Sequence, residues 1–171
     1  GKSFASFSGS NVAFALLFPM ETLFESYVAS LMKKQLQGTG YSVSAQDKGY
    51  HLFDNPKKFM LRPDIVIKSK RDSEVFVMDT KWKLLSMTKA NAGISQADMY
   101  QMYAYQKKYK AKNITLLYPK TAENLDENKL RFKSDDGVVI NVKFVDLYDK
   151  NSINKILNNV IGRNEKENYY D

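Results

Sequence analysis

Arg62-Pro-Asp-Ile-Val-Ile-Lys-Ser-Lys-Arg-Asp-Ser-Glu-Val-Phe-Val-Met-Asp-Thr-Lys81 reads as two short strands, Ile65 to Ile67 and Val75 to Met78, joined by the polar, charged turn Lys68 to Glu74. The first strand begins straight after Asp64, and the second runs into Asp79 with Lys81 two residues on. Side chains alternate along a strand, so Asp79 and Lys81 project from one face and Thr80 from the other. If the open end of this hairpin sets Asp64 beside Asp79, two carboxylates about 4 Å apart repel by roughly 4 kcal/mol at an effective dielectric near 20. Something cationic should sit there. Mg2+ is the natural candidate, being hard and oxygen-seeking and content with one or two carboxylates, several waters and substrate phosphate oxygens. Lys81 then stands beside it as a point charge, able to orient or help deprotonate an attacking water and to balance developing phosphorane charge. The outline is that of a phosphodiester-hydrolysis site.

Upstream, Met20, Leu23, Phe24, Tyr27, Val28, Leu31 and Met32 recur at helical spacing, with Pro19 suited to the first turn and Gly38 to the stop. Glu21 and Glu25 border that stripe and are spaced to lean toward the sheet end that carries the aspartates. The alternative for both is a solvated first-turn charge that complements the helix dipole. Tyr41 to Ala45 alternates as a strand, Tyr50 to Phe53 forms a second about the turn Asp47-Lys-Gly49, and Phe59 to Ile67 reads as one central strand. His51 is the sole histidine and cannot build a histidine metal site.

Downstream, Trp82 either stacks on a base or joins the core, and Ser86 to Gly93 is a polar loop at the sheet end where a site opens. A helix runs from about Ser95 to Tyr109, with Ser95 and Asp98 resembling a capping box. Met99, Met102, Tyr103 and Gln106 share one face of it, whereas Gln101 and Tyr105 lie on a neighbouring one. Lys107, Lys108, Lys110 and Lys112 close the helix and its exit, where they suit the macrodipole or meet phosphate. Asn113 to Tyr118 is a strand stopped by Pro119, parallel to Val75 to Met78 because a helix intervenes. Leu130 to Lys133 and Val138 to Val145 make a hairpin about Ser134 to Gly137, and Asn151 to Ile161 a terminal helix. The pattern is α/β, a mixed sheet flanked by helices.

Pro63-Asp64, with Asp79-Thr80-Lys81 beginning fifteen positions after Asp64, resembles the signature of the PD-(D/E)XK nuclease superfamily. Leu61 to Ile67, Val75 to Lys83 and Asp98-Met-Tyr-Gln-Met-Tyr-Ala-Tyr105 together resemble the C-terminal nuclease region of McrC, the cleavage subunit of modification-dependent McrBC-type restriction systems. Pro19 to Val28 is similar to that family's first nuclease-domain helix, so the likeness spans Pro19 to Tyr118. The resemblance implies a restriction-endonuclease-like fold. It also implies Mg2+, with Mn2+ as a substitute, held by Asp64, Asp79, the Thr80 backbone carbonyl and Glu25, with Lys81 assisting the attacking water. Gln101 and Tyr105 resemble a Gln-X-X-X-Tyr element that positions substrate or site, although Gln96 and Tyr100 offer the same spacing one turn earlier. Implied partners are double-stranded DNA, a McrB-type AAA+ GTPase and a second copy for double-strand cleavage, in the cytoplasm. The rivals are a non-catalytic nucleic-acid-binding or assembly module of the same fold, and a repair exonuclease or junction resolvase.

Composition sets the outer bounds. The chain has 171 residues, one domain by length, and no cysteine, so neither disulfides nor thiolate metal sites contribute. A formal charge of +7, from 26 basic and 19 acidic residues, favours polyanions and predicts salt-sensitive binding. The longest apolar run, Val12 to Phe18, is far short of the roughly 20 residues that span a bilayer, so no membrane association is expected. No Walker-type phosphate loop occurs, so nucleotide hydrolysis belongs to a partner. The expected organisation is a flexible lead-in over 1–11, a nuclease domain over 12–163 and a frayed tail over 164–171.

Overall fold

Ile65, Ile67, Phe76 and Met78 point to one side of a sheet and Val66 and Val77 to the other, and every one of them is buried. A sheet with two apolar faces needs helices on both. The computed structural model describes residues 19–123 and 125–162, leaving outside it the expected lead-in, the run Val12 to Phe18 and the tail. In chain order the elements are α1 (Met20–Leu36), β1 (Tyr41–Ala45), β2 (His51–Asp54), β3 (Lys57–Met60), β4 (Ile65–Ser69), β5 (Val75–Thr80), α2 (Gln96–Tyr109), β6 (Asn113–Pro119), β7 (Arg131–Lys133), β8 (Val139–Val145) and α3 (Ser152–Ile161). Single 3-10 turns lie at Ala90–Gly93 and Glu127–Leu130.

Six strands form one mixed sheet in the order β1-β4-β5-β6-β8-β7. β4 pairs antiparallel with β1 and β5, whereas β5, β6 and β8 run parallel, as the helix between β5 and β6 requires. α1 and α3 cover one face through Phe24, Val28, Met32, Ile153 and Leu157. α2 covers the other through Met102, Tyr105 and Tyr109, against Val66, Val77, Ile114 and Leu116. The expected α/β architecture, a mixed sheet flanked by helices, is the one observed. α2 begins where the sequence places it, with the Ser95 hydroxyl accepting from the Asp98 amide at 3.0 Å.

Two local expectations are overturned. The Asp47-Lys-Gly49 turn forms, with Asp47 accepting from the Gly49 amide at 2.8 Å, but it does not fold the next strand back onto β1. Instead β1 pairs with β4, and β2 pairs only with β3 in a separate two-stranded ribbon. Phe59 to Ile67 is accordingly not one strand. Pro63 has no amide to give a ladder, and the chain leaves the ribbon at Met60 and enters β4 at Ile65. The α1 stripe is also narrower than its periodicity suggests, because Leu23 and Tyr27 remain exposed beside the buried Phe24 and Val28.

Candidate active site

Register builds the site. Ile65 lies opposite Met78, so the next pair outward is Asp64 with Asp79. Ala45 lies opposite Ile65, so Gln46 falls opposite Asp64 on the other side. Three polar residues from three neighbouring strands therefore share one sheet end, at the C-terminal end of β5, where open α/β sheets commonly place their chemistry.

Asp64 is held on both sides. Its Oδ2 accepts from the Thr80 amide at 2.8 Å and the Thr80 hydroxyl at 2.7 Å, while Gln46 Nε2 approaches Oδ1 at 3.4 Å. Asp79 is 2% exposed; its Oδ1 accepts from the Asp64 amide at 3.4 Å and its Oδ2 from the Lys81 ammonium. Lys81 also donates to Gln101 Oε1 at 3.2 Å and lies 3.6 Å from Asp98 Oδ1. Its own amide stays in the ladder, bonded to the Leu117 carbonyl at 2.9 Å.

These contacts fix the charge states. Burial, reinforced by repulsion from Asp64, pushes the Asp79 carboxyl up to about 6 despite the opposing pull of Lys81. Burial pulls the Lys81 ammonium down, but Asp79, Asp98 and Asp64 more than offset it and leave it above its usual value. Lys81 is thus protonated at neutral pH, a donor and a point charge rather than a base. Glu25 is raised, chiefly by burial and further by Asp64, against a hydrogen bond from Gln46 and the charge of Lys81.

The sequence-nominated residues separate clearly in space. Asp64, Asp79, Thr80, Lys81 and Gln101 converge directly. Glu25, half-buried on α1, reaches the same rim through Gln46, whose amide donates to both Glu25 and Asp64. Glu21 is exposed. Gln96 and Tyr100 bond to each other on the outer face of α2, so the Gln101 spacing is the one turned toward Lys81, with buried Tyr105 beneath it. Trp82 joins the core, its ring 5.4 Å from Phe24. His51 Nδ1 is buried without a hydrogen-bond partner, away from these contacts. Of the lysines that close α2, Lys107 meets Asp136, Lys108 meets Asp54 and Lys112 meets Glu74. The loop from Ser86 is tied back by Glu123, which accepts from the Ser86 hydroxyl at 2.9 Å.

Three members escape a reading of the sequence. Gln46 carries no residue-type signal; only the β1–β4 register and its left-handed backbone, φ 53°, turn its amide inward. Asp98 reads as a helix cap, yet its carboxylate faces Lys81. Tyr118 is fully buried with an unbonded hydroxyl, close enough to Asp98 and Asp79 for both to raise its pKa beyond the effect of burial. Gln46→Ala is expected to cost about 1 kcal/mol, the loss of charge-assisted hydrogen bonds at a position water reaches. Urea unfolding at pH 8 reads it, and an unchanged midpoint would show that the amide does not tie Glu25 to Asp64.

The donors are oxygens only. Two carboxylates with an adjacent backbone carbonyl suit Mg2+, which takes one or two carboxylates and keeps much of its water, and lack the nitrogen and sulfur that structural zinc prefers. Among the described residues no three Asp, Glu, His or Cys side chains converge as a ready-made metal cage, so Glu25 stands one side chain further out. A cavity of about 390 Å³ lies elsewhere, lined by Lys120, Glu127, Lys143, Asp146 and Asp149. Its lysines face carboxylates in closed pairs, and the chemistry described above lies outside it.

Comparison with known proteins adds one finding. The family model for McrBC, described as 5-methylcytosine restriction system component, matches residues 1–119, more than half of the chain. That span takes in α1, the β4–β5 pair, α2 and β6, and so every residue assembled here. No curated protein matches the chain.

Proposed function

The chain belongs to the McrBC family of 5-methylcytosine restriction system components, its role lies in modification-dependent restriction, and on that premise we propose that it is the cutting, McrC-type member. The reaction proposed is Mg2+-dependent endonucleolytic hydrolysis of double-stranded DNA on a PD-(D/E)XK fold. One observation carries it: Asp64 meets Asp79, fifteen residues further on, and Lys81 at one sheet end, in a carboxyl pair that is costly to ionise without a cation.

In this reading Asp64, Asp79 and the Thr80 carbonyl would hold the metal, with Glu25 as a supplementary carboxylate at the same rim. A bound Mg2+ supplies charge neutralisation and a more acidic water. Thr80 fixes the Asp64 carboxylate by two hydrogen bonds, so one of its oxygens is oriented before anything binds. Lys81, protonated and steered by Asp79, Asp98 and Gln101, positions the attacking water by donating to it and stabilises negative charge on the phosphoryl oxygens. Gln101 sets the direction of that ammonium. GTP hydrolysis belongs to a McrB-type AAA+ partner, and cutting both strands to a pair of these chains, in the cytoplasm. Among the described residues no helix is long and apolar enough to cross a membrane.

Supercoiled plasmid is the direct test. Mg2+ or Mn2+ should convert it to nicked and linear forms, and EDTA should stop the conversion. Retention of DNA without cutting, even with the GTPase partner and GTP added, would sink the catalytic reading in favour of a binding module. Cutting confined to linear ends or branched duplexes would favour a repair exonuclease or junction resolvase instead.

A further inference from the structure

The β2–β3 ribbon is the least explained part of the molecule. A lone two-stranded ribbon is marginal in water and usually buries one face. Here every residue of β3 is exposed, as are Leu52 and Phe53, and Phe59 is 71% exposed. Phe59 also sits at φ 59°, a region a bulky side chain seldom occupies, with its ring edge-on to Phe53 at 5.9 Å. The ribbon is fixed to α2 by other groups: Lys108 bonds Asp54 at 2.6 Å and the Tyr50 ring lies 4.5 Å from Tyr109. Leu52, Phe53, Phe59 and Met60 are therefore surplus to its anchoring.

Charge indicates what they meet. Lys57 and Lys58 on the ribbon, and Lys48 and Arg62 at its stem, are all exposed. The acids between them are engaged at home, Asp54 by Lys108 and Asp47 by the Gly49 amide and the Tyr109 hydroxyl. The ribbon thus presents cations and apolar groups to solvent, while its carboxylates are engaged within the chain. Both stems start at the carboxylate rim, since Gln46 bonds Asp64 through the backbone at 2.9 Å and Asp64 follows Arg62 by two residues.

We propose that this ribbon is a DNA-engaging arm, in which Lys57 and Lys58 contact phosphates beside the cut and Phe59, with Phe53, inserts as an apolar wedge against the bases. Duplex DNA offers both complementary chemistries, phosphates for the lysines and base surfaces for the rings, and apolar wedges between base steps are an established mode of groove binding. The assignment rests on the endonuclease reading and names how that site seats its substrate.

The test is fluorescence anisotropy on a 30-base-pair duplex in EDTA, so that nothing is cut, across a range of salt. A Lys57→Gln/Lys58→Gln protein should lower the slope of log affinity against log salt by about 2, near 0.9 per phosphate contact. Phe59→Ala should weaken binding about tenfold at fixed salt with the slope unchanged, the size of one lost base contact. Phe59→Gly, which relieves the backbone, should show the same loss, and Mn2+ affinity should stay at the wild-type value in all three. Wild-type DNA affinity and slope in every variant would overturn the arm while leaving the site's reading intact, and so would variants that keep DNA but lose self-association in sedimentation. A wild-type chain that neither binds nor cuts duplex would overturn both.

Discussion

Asp79→Asn protein is expected to melt higher than wild type at pH 8, by roughly 6–12 °C, while plasmid cleavage falls on the order of 10³-fold or more. The two effects share one cause. In the folded chain the Asp79 carboxyl is pushed up to about 6, against an ordinary value of 3.8, by burial and by Asp64. Below pH 4 it is neutral folded or unfolded and costs nothing. Between pH 4 and 6 the unfolded chain releases its proton first, so this group lowers folding stability as pH rises, by about 3 kcal/mol in all at about 1.4 kcal/mol per pKa unit. Above pH 6 the deficit is constant. Asparagine has the shape of the protonated acid and never ionises, so it removes the deficit at pH 8 and changes little at pH 4. It also removes the charge a divalent cation needs. Mg2+ should therefore raise the wild-type melting temperature, increasingly so as pH rises through 6, and leave the asparagine variant where it was. A variant that melts at or below wild type at pH 8, or that still responds to Mg2+, would contradict this account of the rim.

Lys81→Met should separate chemistry from metal capture. The ammonium lies against Asp79 and within 3.6 Å of Asp98, so it competes electrostatically with any cation that enters. Replacing it with an apolar side chain of similar length removes that competition, and Mn2+ affinity measured by calorimetry should hold or increase. Cleavage should nonetheless fall about 10²- to 10⁴-fold, because the hydrogen bond that positions the attacking water and the counter-charge at the phosphate are gone. Cleavage within tenfold of wild type would remove Lys81 from the chemistry. A parallel loss of Mn2+ affinity would recast it as a structural strut for Asp79.

Meeting of the two aspartates was legible because it is local. Asp64 and Asp79 bound the apolar runs Ile65 to Ile67 and Phe76 to Met78 at the open end of one hairpin, so pairing the runs end to end sets Asp64 opposite Asp79. The choice between Gln101 and Gln96 was not legible. Both obey the same helical spacing, and only the rotation of α2 on the sheet, set by Met102, Tyr105 and Tyr109, decides which amide points at Lys81. Gln46 was hidden for a different reason: its role depends on a left-handed backbone and on pairing with a strand eighteen residues away. The ribbon was missed because apolar residues on both sides of Pro63 look like one buried run, when the first half faces water.

The strand that steadies Lys81 has a debt on its far edge. β6 gives its Leu117 carbonyl to Lys81, and its other side is zipped along six positions to β8, which lies wholly after residue 119 where the family match stops. A shorter descendant that shed 131–162 would leave Ile114, Leu116 and Leu117 with an open hydrogen-bonding rim, and the α1 side of the sheet without Ile153 and Leu157. A chain without this segment would need another strand on the free edge of β6 to hold Leu117, and with it the Lys81 amide, where they now lie.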